Sequence, residues 1–344
     1  MEKRNRILVD AFGGDNAPEE IVKGAIAALG EKENFTLGLT GRSGEIEAIL
    51  SSLQYDKSRA EVIEAPSVIT CEEEPTLAVR KKPDSSMCVA FRLLKEDAAD
   101  AFVSAGSSGA LLVGSTLKVG RIDGVIRPAL CPILPTVKPD KKVLLLDAGA
   151  NADCKAANLV QFAVMGAVYA KVALGVKTPK VALLSNGTEE KKGNQLNHEA
   201  FPLLKEIGNG EFVGNIEARD IMSGDCDVVV ADGFSGNVAL KSMEGSMKGL
   251  FTMLKAEISS SLKGKIGALL LKKSFYRLKN SLDYNKYGGA VFLGVEKVVV
   301  KAHGSAKAES VKNAVLQAAA AVEAGTVASI KAELGGVRAQ GTAL

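Results

Sequence analysis

Several short segments of this chain combine glycine with small polar or charged residues in a way that suits anion chemistry. Asp10, Gly13, Gly14 and Asp15 belong to the string DAFGGD, just ahead of a helix start at Ala17, Pro18, Glu19 and Glu20. Paired glycines admit an oxyanion close to the backbone, and the following helix N-terminus adds a favourable dipole. A tight strand-to-helix turn explains the same residues without a ligand. Ser104, Gly106, Ser107, Ser108 and Gly109 form a second such loop, SAGSSG, whose hydroxyls and amides suit an anion nest. It lacks the lysine of a nucleoside-triphosphate loop, and the first loop lacks the dinucleotide fingerprint GxGxxG. Upstream, Arg80, Lys81, Lys82 and Ser85 offer cations and a hydroxyl for phosphate, or a solvated charged turn.

Two later loops extend the pattern. One, SNGTEEKKGN, contains Asn186 and Asn194; the other holds Asp232, Gly233, Ser235, Gly236 and Asn237, with Lys241 in the helix that follows. Neither contains a Gly-x-Ser-x-Gly nucleophile elbow. The chain has only two histidines, too few for a histidine-rich metal centre. His198 reads as a surface helix residue, whereas His303, inside KAHGS, suits a cleft as readily as a structural position. The inventory is rich in amides, hydroxyls and cations and poor in dedicated nucleophiles. Such a site binds phosphate and lets the phosphate itself attack; no metal or cofactor is expected.

The elements that must position these residues follow from periodicity. Short aliphatic runs at 7–9, 35–39, 101–103, 143–146, 181–184, 228–230 and 298–300 alternate with longer helical patterns. That alternation predicts βαβ units and an α/β class with a mostly parallel sheet. Nearly every run is followed by glycine with Asp, Ser, Thr or Asn, so the polar loops gather at the carboxyl ends of strands, where open α/β sheets bind ligands. With 344 residues, 47% hydrophobic and 24% charged, the chain can bury a full core, and no linker divides it. A single domain over 1–344 is expected. Five scattered cysteines without a CxxC pair fit a reducing compartment. No signal-peptide core or run of about 18 apolar residues is read, so a cytoplasmic location is expected.

Residues 243–285 stand apart, reading as a helix over 243–262 and a second after Gly264. Met243, Met247, Leu250, Phe251, Leu254 and Ile258 keep helical spacing on the first. On the second, Leu271, Phe275, Leu278 and Leu282 share one stripe, while Leu262, Ile266, Leu269 and Leu270 share another. Residues 248–279 hold eight Lys/Arg, among them Lys263, Lys265, Lys272, Lys273 and Arg277, against one acid, Glu257. The whole chain carries only +3, which is weak ground for nucleic-acid binding. Two readings stay open: a hairpin whose second face packs on a symmetry partner, or a cation-ringed apolar ridge for an anionic membrane or an acidic protein.

Six strings, DAFGGDNAPEEIVKGA, SAGSSGALLVGS, LLLDAGANADCKAANLVQFAVMG, SNGTEEKKGNQLNHEA, ARDIMSGDCDVVVADGFSGNVALKSMEG and YGGAVFLGVEKVVVKAHGSA, together resemble the bacterial fatty acyl-carrier-protein:phosphate acyltransferases of phospholipid synthesis. The resemblance runs in order over residues 6–318. It implies conversion of acyl-carrier protein and inorganic phosphate into acyl phosphate, which a glycerol-3-phosphate acyltransferase would consume. It also implies a Rossmann-like three-layer α/β/α fold akin to isocitrate and isopropylmalate dehydrogenases, a homodimer and peripheral membrane attachment. Two positions depart from the family pattern: Ser107 and Ser108 stand where Asn and Thr are usual, and Phe12 replaces Met. All keep size or hydrogen-bonding character. On this reading the two glycine loops hold phosphate, while Lys82, Ser85 and Lys241 add charge or a hydroxyl. Asn186, Asn194 or Asn237 would meet the developing oxyanion, and His303 or Asp232 would orient phosphate or move a proton. Lys263, Lys265, Lys272, Lys273 and Arg277 would steer carrier protein or lipid, with Ile266, Leu269 and Leu270 as the inserting residues. The competing readings are a coenzyme A-dependent short-chain phosphotransacylase, a nicotinamide-dependent dehydrogenase and a non-enzymatic scaffold.

Overall fold

In the computed structural model, residues 4–208, 210–282 and 284–339 are described. The strands are β1 (Asn5–Asp10), β2 (Phe35–Gly41), β3 (Ala60–Glu64), β4 (Ala101–Ser104), β5 (Ala129–Pro135), β6 (Lys142–Leu146), β7 (Lys180–Ser185), β8 (Glu211–Glu217), β9 (Val228–Val230), β10 (Ala290–Leu293) and β11 (Val298–Lys301). They form one eleven-stranded sheet in the order β3-β2-β1-β4-β11-β10-β5-β6-β9-β7-β8. All seven apolar runs are strands. Four strands escape the run criterion. β5 carries Pro132 and Pro135, β3 and β8 mix apolar with acidic or polar residues, and β10, AVFL, stands between Gly289 and Gly294.

Two of those four, β5 and β10, change the architecture. β11 pairs antiparallel with β10, β10 with β5, and β5 with β6. Three reversals in succession make the two parallel blocks, β3-β2-β1-β4-β11 and β6-β9-β7-β8, run in opposite directions. The sheet is therefore mostly parallel, with an antiparallel seam at its middle.

The helices are α1 (Glu19–Leu29), α2 (Ser43–Leu50), α3 (Pro75–Lys81), α4 (Ser86–Lys95), α5 (Ser108–Gly114), α6 (Ala156–Leu174), α7 (Gln195–Leu204), α8 (Gly233–Ser259), α9 (Leu262–Leu282), α10 (Ala308–Glu323) and α11 (Thr326–Ala339). One sheet face forms a continuous core under α1, α2, α6, α7, α10 and α11, with Val9, Val103, Val300, Leu144, Val230 and Leu183 side by side along it. Strands buried on both faces read as unbroken aliphatic runs for this reason. The other face is split. Leu8, Phe102, Val299 and Phe292 pack under α3, α4 and α5, whereas Leu145, Val229 and Ala182 pack under α8. Between the two clusters lies a cleft with the antiparallel seam as its floor.

α6 corrects the expectation that no membrane-length apolar run exists. Its 19 residues are long and apolar enough to cross a membrane, but most of the helix is buried against the sheet. The helical pair also begins earlier than its spacing suggested. α8 runs unbroken for 27 residues from Gly233, about 40 Å. α9 starts at Leu262 rather than after Gly264 and packs back on α8. Residue 283 and the side chains of Lys279 and Leu282, all within the expected pair, lie outside the described residues.

Candidate active site

The cleft, about 380 Å³, is lined from one side by Gly106 and Ser108 after β4, and by Lys301, His303 and Gly304 at the end of β11. From the other side come Ala148 and Gly149 after β6, and Asn237, Lys241 and Glu244 of α8. Those three α8 residues are spaced by four and three, so one helical stripe faces the cleft. Leu130, Pro132 and Ala290 of the seam, with Gly289, complete the floor. The opposed directions of the two parallel blocks do not prevent the meeting, because α8 packs on β6, the strand that flanks the seam, and lines the cleft from there.

The wall behind the cleft is built by contact between loops. The Asp15 amide donates to Gly304 O (2.8 Å), Asn16 Nδ2 to Ser305 O and Ala306 O (3.1 Å each), and the Ala302 amide to Ser104 O (2.9 Å). A Cβ at Gly13 would lie 2.6 Å from Asp10 Oδ2 and from Gly106 N. Gly14 combines φ +97° with a would-be Cβ 2.8 Å from Gly304 O, so no other residue fits without displacement. Asp10 is 2% exposed and accepts from Ser104 Oγ (2.7 Å) and the Phe12 amide (3.2 Å). Burial raises its carboxyl above the ordinary value, against these hydrogen bonds and the nearby Lys301 charge. Asp10 and Ser104 therefore brace the glycine loops from behind.

Three ionisable members of the cleft were not singled out as site residues in the sequence: Lys301, Glu244 and Cys71. Lys301 ends an otherwise all-valine strand, VVVK, half-buried at the cleft wall. Its Nζ donates to Ala105 O (3.1 Å) and Ala302 O. Burial lowers its pKa to about 8, with Lys241 adding to the lowering while Cys71, Asp10 and Asp15 oppose it. His303 is held below its ordinary value, first by burial and then by Lys301 and Lys241, against Glu244 and Asp15. The Ser305 amide donates to His303 Nδ1 (3.2 Å), which assigns the neutral ring's proton to Nε2.

Other expected site residues do different work. Ser85, Ser107, Asn194 and Asp232 are N-caps of α4, α5, α7 and α8, accepting from the amides of Cys88, Ala110, Asn197 and Ser235. Small polar residues at strand-to-helix junctions are favoured for capping on their own account. Lys82 is turned to Val68 O and Glu73 (2.8 Å each), holding the segment before α3. Gly109, Gly233 and Gly236 permit close packing: their Cβ atoms would meet Pro75, the Asn151 backbone and Asp147 O. Asn186, Asn194 and Ser235 line a separate pocket of about 640 Å³ on the other flank of α8, with Arg219, Phe234 and Val238. Of the three asparagines considered as oxyanion donors, Asn237 alone faces the cleft.

Asp147, after β6, is fully buried. Its carboxylate accepts from the amides of Leu130 (2.9 Å), Ala150 (3.0 Å) and Asn151 (2.6 Å), and from Asn151 Nδ2 (2.8 Å). This clamp fixes the loop that carries Gly149 to the cleft. On α9, Lys263, Lys265, Lys272, Lys273 and Arg277 are exposed, as are Ile266 (55%), Leu269 (72%) and Leu270 (81%). Among the described residues no cluster of His, Cys, Asp and Glu could hold a metal ion.

A family model described as "Fatty acid synthesis protein" matches residues 5–329. Phosphate acyltransferase from Clostridium acetobutylicum is 46% identical over 328 residues, spanning 95% of this chain and 98% of its own. Phosphate acyltransferase from Alkaliphilus oremlandii is 49% identical over 313 residues, 91% of this chain and 92% of its own. Among solved structures, a phosphotransacetylase from Streptococcus pyogenes aligns with TM-score 0.63 at 18% identity, covering 94% of this chain and 95% of that one. A branched-chain phosphotransacylase from Enterococcus faecalis gives 0.55 at 16%, covering 92% and 99%. At such identities the likeness is one of fold.

Proposed function

The chain belongs to the phosphate acyltransferase family, and on that premise we propose that the cleft between β4, β11 and α8 is where phosphate meets the acyl donor. The enzyme transfers an acyl group between a donor and phosphate, in the service of fatty acid and phospholipid synthesis. The observation that carries the placement is convergence: Gly106, Ser108, Lys301 and His303 from one parallel block face Asn237 and Lys241 from the other across a single cleft. Phosphate held by the loop amides and Lys241 attacks the acyl carbonyl, and the Asn237 amide meets the developing oxyanion. One such donor is worth about 2.7–4 kcal/mol where it has been measured. Holding phosphate and thioester together removes roughly 7–11 kcal/mol of barrier more, so no covalent acyl-enzyme is needed.

The donor in this reading is a long-chain acyl-carrier protein. Its support is the exposed cationic face of α9, where Lys263, Lys265, Lys272, Lys273 and Arg277 suit an acidic partner. Ile266, Leu269 and Leu270 at the same tip suit insertion into an anionic membrane surface, which would bring acyl phosphate to a glycerol-3-phosphate acyltransferase. A homodimer, cytoplasmic and peripherally attached, is part of the same proposal. The test is phosphate-dependent release of carrier thiol, with the acyl phosphate trapped as a hydroxamate. Release and trapping together from acyl-carrier protein are expected. Turnover of short-chain coenzyme A thioesters alone would assign the donor otherwise. Thiol release without a trapped product would mean hydrolysis and reject the reading.

A further inference from the structure

The thiolate that leaves the acyl carbon needs a proton, and Asp232, one of the two residues considered above for moving protons, instead caps α8. The inference that follows rests on the cleft being the site of acyl transfer. An ammonium group has three N–H donors. Two from Lys301 are directed at Ala105 O and Ala302 O, and no acceptor among the described residues is recorded for the third. Both carbonyls belong to the loops that wall the cleft, so Nζ is fixed by the same backbone that would hold phosphate. Lys301 itself lines the cleft beside Gly106 and Gly304, with Asn237 and Lys241 on the α8 wall. We propose that Lys301 is a catalytic residue that delivers the proton to the departing thiolate.

The step balances without any further reactant. A phosphate oxygen of the hydrogen phosphate dianion forms the new O–C bond as the C–S bond breaks. Sulfur takes a proton from Lys301 Nζ, and the neutral amine then removes the proton left on the transferred phosphate. The products are acyl phosphate dianion and free thiol, and the lysine regains its charge.

The surroundings suit that exchange. The titratable groups facing Lys301 are Asp10 and Asp15 from β1 and its loop, Cys71 from the segment before α3, and Lys241 from α8; its neighbour His303 faces Glu244. Burial prevails over the acidic neighbours and sets the ammonium at about 8. A cysteine thiol ionises near 8.5 and simple alkyl thiols higher, so proton transfer from this ammonium to the departing thiolate runs downhill, and an acid near the operating pH is an efficient one. An arginine at this position would keep the charge and the donors but would not release a proton.

Lys301→Arg, compared with the parent on two donors of the same acyl chain, tests the role. One donor is the alkyl thioester of the carrier-protein arm; the other is an aryl thioester, whose thiolate leaves without protonation. The expected result is a loss of roughly 10²–10⁴-fold in kcat on the alkyl thioester. Activity on the aryl thioester should stay within a few-fold, with phosphate KM little changed. The parent should lose kcat above about pH 8 on the alkyl donor, and this limb should be absent on the aryl donor. Retained alkyl activity in Lys301→Arg would overturn the proposal. So would an equal loss on both donors, which would make Lys301 a positioning residue. Turnover of the aryl thioester also shows that the variant is folded. A parent enzyme inert toward phosphate with both donors would overturn the acyl-transfer reading itself.

Discussion

Gly14→Ala is the substitution in which the geometry of the site makes its sharpest demand. The residue sits at φ +97°, where an L side chain is strained, and its Cβ would lie 2.8 Å from Gly304 O and 2.9 Å from Ala105 Cβ. The backbone term is about 1–3 kcal/mol. Forcing a methyl group into a closed contact costs about 1–3 kcal/mol more. Unfolding entropy of roughly 2.1 cal/mol/K per residue over 344 residues converts that total into about 3–8 °C of Tm. Relief of the contact separates the β1 loop from the β4 and β11 loops, and a displacement of about 1 Å in such a site lowers turnover on the order of 10²-fold. Thermal unfolding and phosphate-dependent turnover of the same sample read both effects. Gly44→Ala is the control, since nothing lies within 4 Å of that Cβ in α2 and alanine there gains up to about 1 kcal/mol. A Gly14→Ala enzyme with the parent's Tm and turnover would refute the idea that these three loops set one another's position.

Asp147→Ala should lower Tm in calorimetry, because each buried amide left unpaired around the former carboxylate costs about 1–3 kcal/mol; an unchanged Tm would mean that the clamp is not structural. His303 should titrate below 6.5 by NMR, and Lys241→Gln should move it upward by removing one repelling cation. The same sign makes the contribution of His303 to stability fall as the pH drops through 6.5 and the unfolded chain gains a proton. A downward movement in Lys241→Gln would contradict the charge arrangement. Replacing Leu269 and Leu270 together by Asp should release the protein from vesicles of anionic lipid with turnover of a soluble donor intact. Persistent vesicle binding would remove α9 as the insertion site.

Much of the fold was legible because a sheet buried on both faces writes its strands as unbroken aliphatic runs. What failed to register was the antiparallel seam. Pro132 and Pro135 argue against a strand when only the sequence is read, yet β5 lies between β10 and β6 in the middle of the sheet. Position was harder to read than composition in the site as well. Gly106, Ser108, Asn237, Lys241 and His303 do meet in one cleft. Asn186 and Asn194 have the same chemical character but occupy the other flank of α8, since loops after neighbouring strands are sent apart by the faces their helices cover. Ser85, Ser107 and Asp232 show a second ambiguity: the residues that cap helices are also the residues that bind anions. Lys301 went unnoticed because a lysine directly after an aliphatic run reads as an ordinary solvated charge, and only tertiary contact with Ala105 O and Ala302 O turns it to the cleft.

Central to this account is that phosphate, and no protein side chain, attacks the acyl carbon. Cys71 gives that claim its hardest test, because it brings a thiol to the wall of the cleft near Lys301. The decisive measurement is exchange of labelled free carrier thiol into the acyl thioester in the absence of phosphate. Direct attack predicts no exchange until phosphate is added. Exchange without phosphate that disappears in Cys71→Ser would contradict it and place the acyl group on the enzyme.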